Sequence, residues 1–142
     1  MTIRRHTTLI LALASVGALL QACAPRPSGP AVRRYASDFK GVAKTCDAPK
    51  VSPALGKTVE ATMKVGSDGG WCGLLVNNGG RAFDTQLLTA RPEHGKVFVH
   101  GVGNDTRIDY TPDAGFVGAD SFTVQLLPGE DSVHITVSAV AH

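Results

Sequence analysis

The stretch Tyr110-Thr111-Pro112-Asp113-Ala114-Gly115-Phe116-Val117-Gly118-Ala119-Asp120-Ser121-Phe122-Thr123-Val124 decides the fold of this chain. Thr106, Ile108 and Tyr110 share one face of a strand. Pro112 ends that strand, because proline has no N–H to give to a ladder. Gly115 and Gly118 bracket a tight loop, with Phe116 folded inward between them as a plug beneath the core. Asp120 is placed to cap backbone N–H groups of that loop, and Phe122 returns to the core. Phe122, Val124 and Leu126 then alternate with Thr123 and Gln125, the period of a half-buried strand.

Working outward, the same period recurs. Val59, Ala61, Met63 and Val65 alternate with Glu60, Thr62 and Lys64. Residues 67–70 (Ser-Asp-Gly-Gly) form a turn, and 71–76 a strand closed by Asn77-Asn78-Gly79-Gly80. Such Gly- and Asn-rich clusters are breakers between strands. Residues 82–88 read as the next strand. Pro92-Glu93-His94-Gly95 turns sharply into a strand at 96–100, which Gly101 and Gly103 end. Gly103-Asn104-Asp105 is a hairpin turn, since Gly and Asn tolerate positive φ. After a turn at 128–131, Val133, Ile135, Val137 and Ala139 alternate with His134, Thr136 and Ser138. About seven short strands with closely spaced turns predict an all-β, antiparallel β-sandwich over residues 54–142. No long helix is expected there.

Two of these stretches are specific beyond their periodicity. Pro92-Glu93-His94-Gly95-Lys96-Val97 and the 110–124 stretch together resemble the bacterial Ig-like and cadherin-like repeats of large surface adhesins. Those repeats run P-x-H-G-x-V, then a hairpin, then Y-T-P-x-x-G-F-x-G-x-D-S-F-T, then a final V-x-V strand. The resemblance covers roughly residues 85–140 and implies an Ig-like sandwich. It makes Pro92, His94, Gly95, Tyr110, Pro112, Gly115, Phe116, Gly118, Asp120 and Phe122 structural residues. It specifies a fold and no chemistry. The first half departs from the pattern. Such repeats begin with an Asp-rich D-x-D-G-D segment tied to calcium, whereas residues 65–72 carry only Asp68. Calcium takes six to eight oxygens, so no calcium, and no other cofactor or metal, is expected.

The N-terminus has another character. Arg4, Arg5 and His6 precede an uninterrupted apolar and small-residue run over 9–20. That run suits a secretory signal and is too short to span a bilayer. It ends in Leu20-Gln21-Ala22-Cys23, which resembles the lipobox of bacterial lipoproteins. The resemblance implies a signal peptide over 1–22 and diacylglycerol linked by a thioether to Cys23. Ala24, where Asp would retain a lipoprotein at the inner membrane, implies outer-membrane sorting on the periplasmic side. Residues 23–53 then read as a Pro-rich basic tether, with Pro25, Pro27 and Pro30 near its start.

The formal net charge is +2, but residues 24–50 hold six basic residues against two acidic ones. Residues 51–142 hold six basic residues against ten acidic ones. The basic excess thus lies beside the expected membrane anchor, where anionic lipid attracts it. No clustered basic face or nucleic-acid module appears.

The sequence has three cysteines. Lipidation of Cys23 leaves Cys46 and Cys72, which in an oxidising compartment would pair. Two free thiols or a metal site are the alternatives, although the spacing lacks any CxxC or CxxH pattern. A loop of this size is worth about 3 kcal/mol. Because Trp71 adjoins Cys72, the bond would tie the N-terminal segment to the sandwich.

Catalytic patterns are missing. There is no G-x-S-x-G elbow, and GVGND at 101–105 is not followed by a helix as a phosphate loop would be. His94 falls at a turn and His134 on a solvent-facing position. Asp84, Asp105, Asp109 and Asp113 read as solvated strand ends and turns.

The chain is therefore read as a non-catalytic, lipid-anchored envelope module that binds or spaces. Its expected partners are the membrane and an envelope protein or polysaccharide, met at a sandwich edge or around Trp71. Trp71 is either a core anchor or an exposed contact. The alternative is a periplasmic inhibitor of a hydrolase or lysozyme, with 67–72 or 81–84 as its protruding loop.

Overall fold

The computed structural model describes residues 35–142. The expected signal peptide, Cys23 and the Pro-rich start of the tether lie outside the described residues.

Eight strands follow a short 3₁₀ turn at Ala36–Phe39: β1 (Cys46–Asp47), β2 (Thr58–Gly66), β3 (Cys72–Val76), β4 (Thr85–Ala90), β5 (Gly95–Val102), β6 (Asp105–Pro112), β7 (Gly118–Leu127) and β8 (Asp131–Val140). They form a five-stranded sheet of order β1-β2-β8-β7-β4 and a three-stranded sheet of order β3-β6-β5. This is the all-β sandwich the periodicity predicts. The core lies between the sheets. It is filled by Ala61, Met63 and Val65 of β2, Leu74 and Val76 of β3, Ile108 and Tyr110 of β6, and the alternating residues of β7 and β8. Each buried Val, Leu, Ile or Phe contributes about 1.5–3 kcal/mol relative to exposure.

Three features differ from the expectation. First, β2 runs parallel to β8, from Thr58↔Ser132 to Gly66↔Val140. Alternation reports which face is buried and is blind to strand direction. Second, β4 occupies Thr85–Ala90 rather than 82–88. Phe83 is instead a buried loop residue whose N–H donates to Thr106 Oγ1 at 2.9 Å. Third, the folded unit begins well before residue 54. Ala43 and Val51 are buried, Val42 bridges to Trp71, and β1 pairs with β2 through Cys46↔Val65. Residues 35–53 are therefore packed onto the sandwich instead of acting as a tether. A two-residue strand is too short to carry a readable period.

Cys46 and Cys72 are disulfide-bonded, with Cα atoms 5.2 Å apart. Since β1 and β3 belong to different sheets, the bond staples the sheets together along one side of the sandwich.

Candidate binding surface

The residues singled out in the sequence converge at one end of the sandwich. Tyr110 is fully buried, and its hydroxyl donates to Asp120 Oδ2 at 2.8 Å. Asp120 also accepts the backbone N–H groups of Glu93 (3.0 Å), His94 (2.9 Å) and Ser121 (2.8 Å). It therefore caps the 92–95 turn, not the 115–118 loop expected for it. Burial alone would raise the Asp120 pKa, but the N–H donors of Glu93 and His94, with Tyr110 and Ser121, outweigh it and hold the carboxyl below its ordinary value. Burial pushes the Tyr110 phenol upward, and its bond to Asp120 adds to the shift. Gly95 is required because a Cβ there would lie 2.4 Å from the Tyr110 ring. Pro112 closes β6 opposite Gly95.

Phe116 is half-buried and packs against the core from this end. Its ring stacks on His94 with centroids 4.3 Å apart and lies against Gly118. Gly115 takes φ 78° in the loop, and Phe122 is fully buried beside Tyr110. These contacts tie the turns at this end of the sandwich to its core.

The outer face of the three-stranded sheet is different. Thr106, Ile108 and Tyr110 point inward from β6, so Arg107 and Asp109 must point outward, yet both are buried. Arg107 Nε lies 2.8 Å from Asp109 Oδ1, and Nη2 donates to Oδ2 at 2.9 Å. His100 Nε2 lies 3.1 Å from the same Oδ2. Asp109 is thus not the solvated carboxylate expected of it, whereas Asp84 and Asp113 are exposed.

The cover is Trp71 and the 35–43 segment. The Arg107 guanidinium stacks over the Trp71 ring at 3.9 Å. It also donates through Nη1 to the carbonyl of Asp38. Trp71 Nε1 donates to the Lys40 carbonyl at 2.9 Å. Ala43 N–H donates to the Trp71 carbonyl, and Trp71 N–H to that of Gly41, at 2.8 and 2.9 Å. Trp71 is therefore half-buried under a strap, neither core anchor nor free contact. Gly73 makes room beneath, since a Cβ there would meet Asp109 Oδ1 at 2.2 Å. Around this charged centre Tyr35, Phe39 and Phe98 remain well exposed.

The remaining polar candidates do not assemble a reactive site. Asp68 accepts the backbone N–H of Lys44 (2.8 Å) and Gly70 (3.0 Å), which hold its pKa below the ordinary value. His134 bonds Thr123 Oγ1 at 2.9 Å on the outer face of the other sheet. Among the described residues no group of three or more His, Cys, Asp or Glu side chains is placed to hold a metal.

Two sheets packed around one core, stapled by a disulfide and capped by the Tyr110–Asp120 bond, define an Ig-like β-sandwich. The bacterial Ig domain family matches residues 47–139, and the chain belongs to that family. It is in general a family of non-enzymatic modules, which supports a non-catalytic binding role. Among curated proteins none matches. Among solved structures, the chain is similar to the cysteine protease inhibitor EhICP2 from Entamoeba histolytica. The identity is 12%, the match covers 58% of this chain and 93% of that one, and the TM-score is 0.32.

Proposed function

We propose that the chain is a lipid-anchored Ig-like module of the cell envelope that acts by binding or spacing. The observation that carries this reading is the cysteine pairing. Cys46 and Cys72 bond to each other, and the third cysteine of the sequence is Cys23, directly after Leu20-Gln21-Ala22. A disulfide suits an exported protein, and a thiol behind an apolar signal run suits thioether attachment of diacylglycerol. Ala24 favours the outer membrane. The domain would then present its edges and outer faces to an envelope protein or polysaccharide.

Intact mass of the mature chain tests the anchor. A chain beginning at Cys23 should carry a lipid increment and gain two protons on reduction of the disulfide. In cells, Cys23→Ser should move the protein out of the membrane fraction. A mature chain without lipid would overturn the anchoring.

A further inference from the structure

Among the described residues four strands border the two sheets: β1 and β4 in one, β3 and β5 in the other. β1 is two residues long and is bonded to β3 through the disulfide. β5 carries Lys96 near its start. β4 differs: its six residues, Thr-Gln-Leu-Leu-Thr-Ala, contain no charge, no proline and no glycine. Natural proteins guard sheet edges with charge or proline, because an unguarded edge is a template for another strand. Leu87 is 46% exposed on this edge. Asp84 precedes β4 and Arg91 follows it, and both are exposed.

We propose that β4 is a self-association edge. It pairs antiparallel with β4 of a second copy about a two-fold axis at Leu87, joining the two five-stranded sheets into one. A two-fold perpendicular to the sheet returns every side chain to its own face, so some residue of the strand must oppose itself.

Charge selects which one. Leu88 pairs with Val124 and Ala90 with Thr123, so Thr89 is an extra, bulged residue and counts for no position. With the axis at Leu87, Gln86 opposes Leu88 of the second copy and Thr85 opposes Ala90. One step further, Asp84 opposes Arg91, and by symmetry Arg91 opposes Asp84. An axis at Leu88 would set Asp84 against Glu93, a like-charge pair. An axis at Gln86 would set Arg91 against Ala82. Only the Leu87 register closes both ends of the strand with opposite charges, and directly opposed cross-strand pairs are those that interact most strongly.

Single cysteines in the full chain, oxidised mildly in the cells that make it, test the register. Leu87→Cys should give a band of doubled mass on a non-reducing gel. Thr85→Cys alone should give little, and Thr85→Cys co-expressed with Ala90→Cys should give the mixed dimer. Phe98→Cys, exposed on the other sheet, is the control. In the Leu87→Cys background, Asp84→Arg or Arg91→Asp should cut the dimer several-fold, and the two together should restore it. A monomeric Leu87→Cys chain, cross-linking no better than Phe98→Cys, or failure of the double reversal to restore the dimer would overturn the proposal. An unlipidated Cys23 would add the same background band to every variant, so the comparison with Phe98→Cys does not depend on lipid at Cys23.

Discussion

The Tyr110 hydroxyl and the Asp120 carboxylate, joined at 2.8 Å, fasten the 92–95 turn to β6 and β7, strands of opposite sheets. Asp120 has four donors in all, three of them backbone N–H groups. Asp120→Asn keeps the shape but removes the charge and turns one acceptor into a donor facing N–H groups. Hydrogen bonds to a charged group are worth about 1.5–3 kcal/mol, so the variant should lose about 2–3 kcal/mol in a urea titration at pH 7. Tyr110→Phe, which removes one donor, should lose about 1 kcal/mol. A double-mutant cycle should return a clear coupling between the two.

The same pair sets the pH dependence. The folded Asp120 pKa is lowered, so its contribution is complete above the unfolded value of about 4. It fades as pH falls through the lower folded value. The stability gap between the native chain and Asp120→Asn should therefore narrow below about pH 4. The folded Tyr110 pKa is raised, so its contribution is complete below about pH 10 and fades as pH rises beyond it. Tyr110→Phe should remove that alkaline loss. A gap that stays constant from neutral pH to pH ~3 would mean that the Asp120 pKa is the same in the folded and unfolded chain.

Gly95 and Gly101 lie on the same strand and make a controlled comparison. A Cβ on Gly95 would meet the Tyr110 ring at 2.4 Å, whereas one on Gly101 meets nothing within 4 Å. Gly95→Ala should cost about 1–3 kcal/mol, as overpacking does. Gly101→Ala should be neutral or stabilising by up to about 1 kcal/mol, because it restricts the unfolded chain. Thermal unfolding of the two variants side by side would measure the difference.

Phe116 separates two readings of the 115–118 loop. Its ring is half-buried and leans on His94 at 4.3 Å. Phe116→Ala should therefore cost about 1–2 kcal/mol, below the 3–5 kcal/mol of a fully buried aromatic. A loss above that range would mean that the loop closes further over the core in solution.

Much of the sandwich was legible because burial alternates residue by residue. Val133, Ile135 and Val137 could be assigned to the core without coordinates, and so could Phe122, Val124 and Leu126. The Tyr110 to Phe122 stretch went further, since each of its glycines, its proline and its aspartate has a local reason. What escaped depends on contacts between distant segments. Asp120 finds its backbone donors 26 and 27 residues away, and no local pattern encodes that choice. Arg107 and Asp109 alternate with core residues as solvent-facing side chains should. Trp71 and the 35–43 segment crossing them make them buried, and that segment is short and aperiodic. The parallel pairing of β2 with β8 was hidden for the same reason. One signal was available for the strap: the Gly-Gly-Trp-Cys run at 69–72. A Cβ on Gly70 would lie 2.4 Å from the Ala43 backbone, so a small residue beside Trp71 marks a close crossing of two segments of the chain.

The Arg107–Asp109 pair shows how that crossing is held. Both side chains are buried, and Arg107 also reaches the Asp38 carbonyl and the face of Trp71. Among the described residues, Arg107→Ala would leave the buried Asp109 carboxylate with only His100 as a polar side-chain partner. Removing one member of a buried pair costs about 3–5 kcal/mol. The double variant Arg107→Met with Asp109→Leu removes both charges and should be less destabilised than Arg107→Ala. Hydrogen exchange separates this local latch from a general loss of stability. In Arg107→Ala, amides of residues 38–43 should exchange faster by at least tenfold, while those of β7 and β8 should accelerate less, and only as far as global stability falls. Equal acceleration in the strap and in β8 would mean that Arg107 supports the whole sandwich and holds no separate latch.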